Sequence, residues 1–62
     1  MKKINEIKTL IVDDNEDLCE IIKSRFEIFN LQAFVAYSGQ QAWEIFEQED
    51  IDIVISDMCM EN

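Results

Sequence analysis

The chain has 62 residues, 14 acidic against 5 basic side chains, a net charge of −9 and no histidine. At this length it can form one small domain, burying only about 60% of the surface its unfolded form exposes. A hydrophobic content of 48% with one glycine and no proline argues against disorder, and the acidic balance argues against nucleic acid as a partner, because phosphate backbones demand basic surfaces. Cys19 and Cys59 are too few and too far apart for a disulfide framework or a zinc site. Lys2 and Lys3 are followed by polar Asn5, Glu6 and Lys8 rather than by the apolar core of a signal peptide, and no apolar run approaches membrane-spanning length. The expectation is a reduced, cytoplasmic segment with no membrane partner.

Residues 1–8 form a polar lead-in, with Ile4 and Ile7 as candidates to pack at the bottom of a sheet. The first strand is expected over roughly Thr9 to Val12, an unbroken apolar run that suits a strand covered on both faces. It leads directly into Asp13 and Asp14. Asn15 is a good helix N-cap, and Glu16 and Asp17 then occupy the first turn, where the helix dipole favours acids. Leu18, Ile21, Ile22, Phe26 and Phe29 recur at helical spacing and form one broad stripe. Arg25 falls inside that stripe, where its aliphatic stem can lie on the core edge with the guanidinium in water; the alternative is contact with an acidic partner. Asn30 suits a left-handed C-cap.

Gln32 to Tyr37 has the alternation of a second strand. Ser38 and Gln41 form the capping-box pattern that opens a second helix, with Ala42, Ile45 and Phe46 as its buried face and Trp43 at the core edge. Glu47 to Asp50 make a short solvated connection, and a third strand runs from Ile51 to Ser56 and delivers Asp57. The order β-α-β-α-β with short links predicts an α/β fold with a parallel sheet covered by helices.

Ligands bind in open α/β sheets outside the carboxyl ends of the strands. If the first and third strands lie side by side, Asp13, Asp14 and Asp57 converge there, and crowding them should raise at least one proton affinity. A divalent cation relieves that repulsion. An all-oxygen site without histidine suits Mg2+, and the compatible chemistry is phosphoryl transfer with a carboxylate as nucleophile. Acidic strand ends are also common simply because aspartate suits turns and caps; the matched third aspartate after a second buried strand favours the functional reading.

Taken together, Asp13-Asp14 after Leu10-Ile11-Val12, Ala36-Tyr37-Ser38-Gly39 before a helix containing Ala42, and Ile53-Val54-Ile55-Ser56-Asp57-Met58-Cys59-Met60 resemble the receiver domain of bacterial two-component response regulators, from about Lys8 to the last residue. The resemblance implies the N-terminal half of a flavodoxin-like fold, strand order 2-1-3. It implies that Asp57 is the phosphoacceptor, taking a phosphoryl group from a sensor histidine kinase or phosphotransfer protein. Asp14, Asp57 and the backbone carbonyl of Cys59 would ligate Mg2+, with Asp13 acting through the water shell and in catalysis. Such a domain is a signalling phosphoacceptor rather than an enzyme.

Two departures from the family stand out. The proline usual in its D-x-x-[ML]-P pattern is replaced by Glu61 after Met60. The two further strands, three further helices and the Ser or Thr and Lys that steady the phosphoryl group are not among these 62 residues, so residues 1–62 read as a truncated receiver.

Two other classes remain. Haloacid-dehalogenase-like hydrolases also phosphorylate an aspartate after an apolar strand, but they carry a second aspartate two residues on, where this chain has Cys59. The other is a non-catalytic, self-associating interaction module or decoy derived from a receiver. The missing fourth strand would leave Ile51, Ile53, Val54 and Ile55 on an open edge, a template for pairing with another chain, so a homodimer or larger assembly is expected.

Overall fold

The computed structural model describes residues 3–56. A short 3-10 turn, Ile4–Glu6, precedes five elements: β1 (Lys8–Val12), α1 (Glu16–Ile28), β2 (Gln32–Ala36), α2 (Gly39–Gln48) and β3 (Ile53–Ser56). The three strands form one parallel sheet in the order β2-β1-β3, the α/β half-fold that the sequence predicts.

Strand β1 is the most buried of the three and, among the described residues, is flanked on both edges. Val12 pairs with Ala36 on one side and Ser56 on the other. Leu10 and Ile11 are almost completely buried. Alternation sends them to opposite faces of the sheet. Leu10 and Val12 join Ala36, with Phe34, Ala42, Ile45 and Ile51 packed around them, in the core beneath α2. At the other end of the sheet a reciprocal clasp fixes β3 beside β1: Lys8 N donates to Asp52 Oδ2 at 2.9 Å, and Asp52 N donates to Lys8 O at 2.8 Å. The Lys8 ammonium also lies 3.5 Å from Glu49.

The helix ends follow the residues that set them. Asn15 accepts from Leu18 N, and Ser38 Oγ accepts from Gln41 N. The Gln41 side chain reaches one residue further back than a strict capping box would, accepting from Tyr37 N at 2.7 Å. Helix α1 closes in a Schellman turn. Asn30 has φ 60, its N–H donates to Glu27 O, and Leu31 N donates to Phe26 O. This is the left-handed position that asparagine tolerates better than other non-glycine residues.

The buried stripe of α1 is narrower than the apolar pattern suggests. Ile21 is 53% exposed and Phe29 72% exposed, while Cys19 is fully buried. Packed against the sheet, the 13-residue α1 fully buries Cys19, with Leu18, Ile22 and Phe26 half-buried beside it. On α2, Phe46 is largely exposed rather than buried, and Trp43 lies outside the core altogether; their rings stack on each other with centroids 6.0 Å apart. Ile4 is exposed at the bottom of the sheet. Strand β3 starts at Ile53, two residues later than its apolar pattern suggests, because Asp52 is taken up by the clasp with Lys8.

Candidate functional site

The residue that ends β1 is held from three directions. Asp13 N donates to Ala36 O at 3.0 Å, which carries the β1–β2 pairing one residue past Val12. Its Oδ1 accepts from Asn15 N at 2.9 Å, an Asx turn that bends the chain out of the strand and into the helix cap. Its carbonyl oxygen accepts the thiol of Cys19 at 3.4 Å. Asp13 is thereby 8% exposed, and its orientation is set by main chain and cap together. Asp14, next in line, is exposed at the same end of the sheet. Glu16 and Asp17 follow in the first turn of α1.

The described cations lie elsewhere. Lys8 pairs with Glu49 at the opposite end of the sheet, and Lys23 lies 4.0 Å from Glu27 along α1. The carboxyl end of β1 therefore presents acidic oxygens to solvent without a neighbouring ammonium among the described ion pairs.

Cys19 is a part of this site that sequence reasoning weighed only for disulfides and zinc. Its burial, and then the charge of Asp13, push the thiol pKa up, so it stays a neutral thiol that donates to the Asp13 carbonyl. The signal was present in the spacing: Cys19 shares one helical line with Ile22 and Phe26. Tyr37, just past β2, donates its hydroxyl to Glu20 Oε2 at 2.9 Å and ties the β2–α2 link to α1; that bond also raises the phenol pKa.

Of the residues the sequence singled out, Asp13 and Asp14 stand together where expected. Asp57 and Cys59 lie outside the described residues. Ser56, to which Asp57 is bonded, pairs with Val12 at the same end of the sheet. No group of three or more His, Cys, Asp or Glu side chains that could hold a metal ion occurs among the described residues. The donors that are described, one carboxylate with an oxygen turned to the Asx bond and a second exposed to water, are hard oxygen ligands. They fit Mg2+, which takes one or two carboxylates and keeps several waters.

Comparison with known proteins bears directly on this arrangement. Residues 9–62 match the family model of the response regulator receiver domain. Among individual relatives, the response regulator GtcR of Aneurinibacillus migulanus is 35% identical over 51 residues, covering 82% of this chain and 21% of that protein. The transcriptional regulatory protein CpxR of Escherichia coli (strain K12) is 32% identical over 53 residues, 86% of this chain and 22% of that protein. The heme response regulator HssR of Staphylococcus aureus (strain Newman) is 29% identical over 55 residues, 89% of this chain and 25% of that protein. The chain thus spans a fifth to a quarter of the length of these relatives. No solved structure matches it significantly.

Proposed function

Because the chain belongs to the response regulator receiver domain family, we propose that it is the N-terminal half of a receiver that accepts a phosphoryl group on Asp57 in the cytoplasm. The donor is the phosphohistidine of a sensor histidine kinase or of a phosphotransfer protein. A carboxylate oxygen of Asp57 attacks the phosphorus. The P–N bond to the donor imidazole breaks as the P–O bond of an acyl phosphate forms, and the imidazole leaves with its proton balance made up from water.

The observation that carries this reading is the register at the top of the sheet. Val12 and Ser56 are paired, so Asp13 and Asp57 each follow directly in sequence on one member of a strand pair, and Asp14 follows Asp13. Asp14, Asp57, the Cys59 carbonyl and, through water, Asp13 would hold Mg2+. When bound, the ion neutralises charge on the transferring phosphoryl group. The chain's own contribution is positional. The bonds from Asn15, Ala36 and Cys19 fix Asp13 before any ligand arrives, which spares reorganisation during transfer.

The protein acts as a phosphoacceptor rather than as a turnover enzyme. Incubation with a small phosphodonor such as an acyl phosphate, followed by intact-mass measurement, tests this. One phosphoryl group should appear in a Mg2+-dependent manner and be lost in Asp57→Asn. Equal labelling of Asp57→Asn would overturn the proposal.

A further inference from the structure

Tyr37 lies one residue past the end of β2 and is half-buried where the sheet meets the link into α2. Ala36 belongs to the core beneath α2, so alternation turns Tyr37 to the opposite face of the sheet. There its hydroxyl donates to Glu20 Oε2 on α1 at 2.9 Å, between residues 17 apart in the chain. The Tyr37 main chain is fixed as well. Its N–H donates to Gln41 Oε1 at 2.7 Å, and Ser38 caps α2 immediately after it.

The chain neighbours of Tyr37 and Glu20 are the residues that hold Asp13. Ala36, which precedes Tyr37, accepts from Asp13 N at 3.0 Å. Cys19, which precedes Glu20, donates its thiol to Asp13 O at 3.4 Å. The contacts therefore close into a ring. It runs from Asp13 N to Ala36, through Tyr37 and its hydroxyl to Glu20, back along α1 to Cys19, and through the thiol to Asp13 O. Asp13 is gripped through its main chain on both sides, the N–H on β2 and the C=O on α1. A change in the spacing between those two elements moves its backbone and, with it, the carboxylate.

We infer that Tyr37 and Glu20 are positioning residues for Asp13, their hydrogen bond closing this ring and setting the distance between the end of β2 and the first turns of α1. The consequence for Mg2+ rests on the proposed place of Asp13 at the cation; the ring itself stands in the free protein. The strengths of its members explain why the outer bond matters. A thiol is a weak donor, so the Cys19 contact does little to hold α1 against β2. A hydroxyl bonded to a carboxylate is the stronger kind, and bonds in a connected network reinforce one another. Glu20 is exposed, so water competes for that bond and its loss loosens the ring without undoing the fold.

Nuclear magnetic resonance on the 62-residue chain tests the inference, with and without Mg2+. Tyr37→Phe removes the hydroxyl and leaves the charge at neutral pH unchanged. The coupling across the hydrogen bond from Asp13 N to Ala36 O reports the geometry of the folded state, which a simple loss of stability does not move. It should fall in Tyr37→Phe and in Glu20→Ala. It should stay near the wild-type value in Glu20→Gln, which keeps an acceptor oxygen. The Mg2+ dissociation constant, read from the Asp13 and Asp14 amide resonances, should rise about three- to tenfold in Tyr37→Phe. That is the range one ordinary hydrogen bond spans, below the roughly 10–100-fold typical of a group bonded directly to a metal ligand. Tyr37→Phe combined with Glu20→Ala should be no worse than either alone, because both remove the same bond. An unchanged Asp13 coupling in Tyr37→Phe would overturn the inference. So would an unchanged Mg2+ affinity in that variant when the wild type binds the ion, even if its melting temperature falls. A wild type indifferent to Mg2+ would refute the cation reading alone, since the coupling decides the ring without it.

Discussion

Asp13 carries a structural and a functional load that two substitutions separate. Asp13→Asn keeps an oxygen to accept from Asn15 N but removes the charge; Asp13→Ala removes both. Each variant relieves the same repulsion with Asp14, so the difference between them isolates the Asx hydrogen bond. A neutral bond of this kind contributes about 0.5–1.5 kcal/mol, and the bond is 2.9 Å long in a residue that is 8% exposed, which places it at the upper end. Asp13→Ala should therefore melt about 4–8 °C below Asp13→Asn, the shift that roughly 1 kcal/mol produces in a domain of this size. Mg2+ reads out the second load. A cation in tenfold excess over its dissociation constant stabilises the folded wild type by about 1.4 kcal/mol, and both variants should lose most of that gain. Thermal melts followed by far-UV circular dichroism, in chelator and in Mg2+, give all the values. Equal melting temperatures for the two variants would show that the Asx bond carries nothing. A full Mg2+ response in Asp13→Asn would refute the placement of Asp13 at the cation.

Two further predictions concern the scaffold. Asn30→Ala puts a Cβ without a local polar partner at φ 60 and should cost about 1 kcal/mol, measured by urea denaturation, whereas Asn30→Gly should be neutral or slightly stabilising. The raised thiol pKa of Cys19 makes stability depend on pH. The unfolded thiol ionises first, near about pH 8.5, so the contribution is complete below that value and lost as pH rises through the higher folded value. Alkaline urea titrations should show the wild type losing stability more steeply than Cys19→Ala; parallel slopes would contradict the assignment.

The fold was legible wherever local chemistry and burial point the same way. Asn15, Ser38 and Asn30 mark helix ends because their side chains or backbone preferences satisfy orphan groups, and the structure uses all three. The apolar run from Leu10 to Val12 gave the central strand for the same reason: a strand covered on both faces has no polar side to confuse the pattern. What sequence periodicity could not supply was which apolar residues the small sheet actually covers. Ile21, Phe29, Trp43 and Phe46 have helical spacing, yet three strands offer too little surface to bury them. Cys19 was missed because its chemistry drew attention away from its position. At the site, Asp13 and Asp14 were readable as a pair, but the bond from Asp13 N to Ala36 O that holds Asp13 against β2 depends on tertiary placement. Asp57, the proposed acceptor, follows the last described strand residue.

The central claim is that the aspartate after β3 takes the phosphoryl group while those after β1 serve the cation. Borohydride reduction of the acyl phosphate, followed by peptide mass spectrometry, identifies the modified side chain directly. In Mg2+ the trapped product should map to Asp57, and it should vanish in chelator or in Asp14→Ala. Product trapped on Asp13 or Asp14, or equal labelling of Asp57 without Mg2+, would contradict the account.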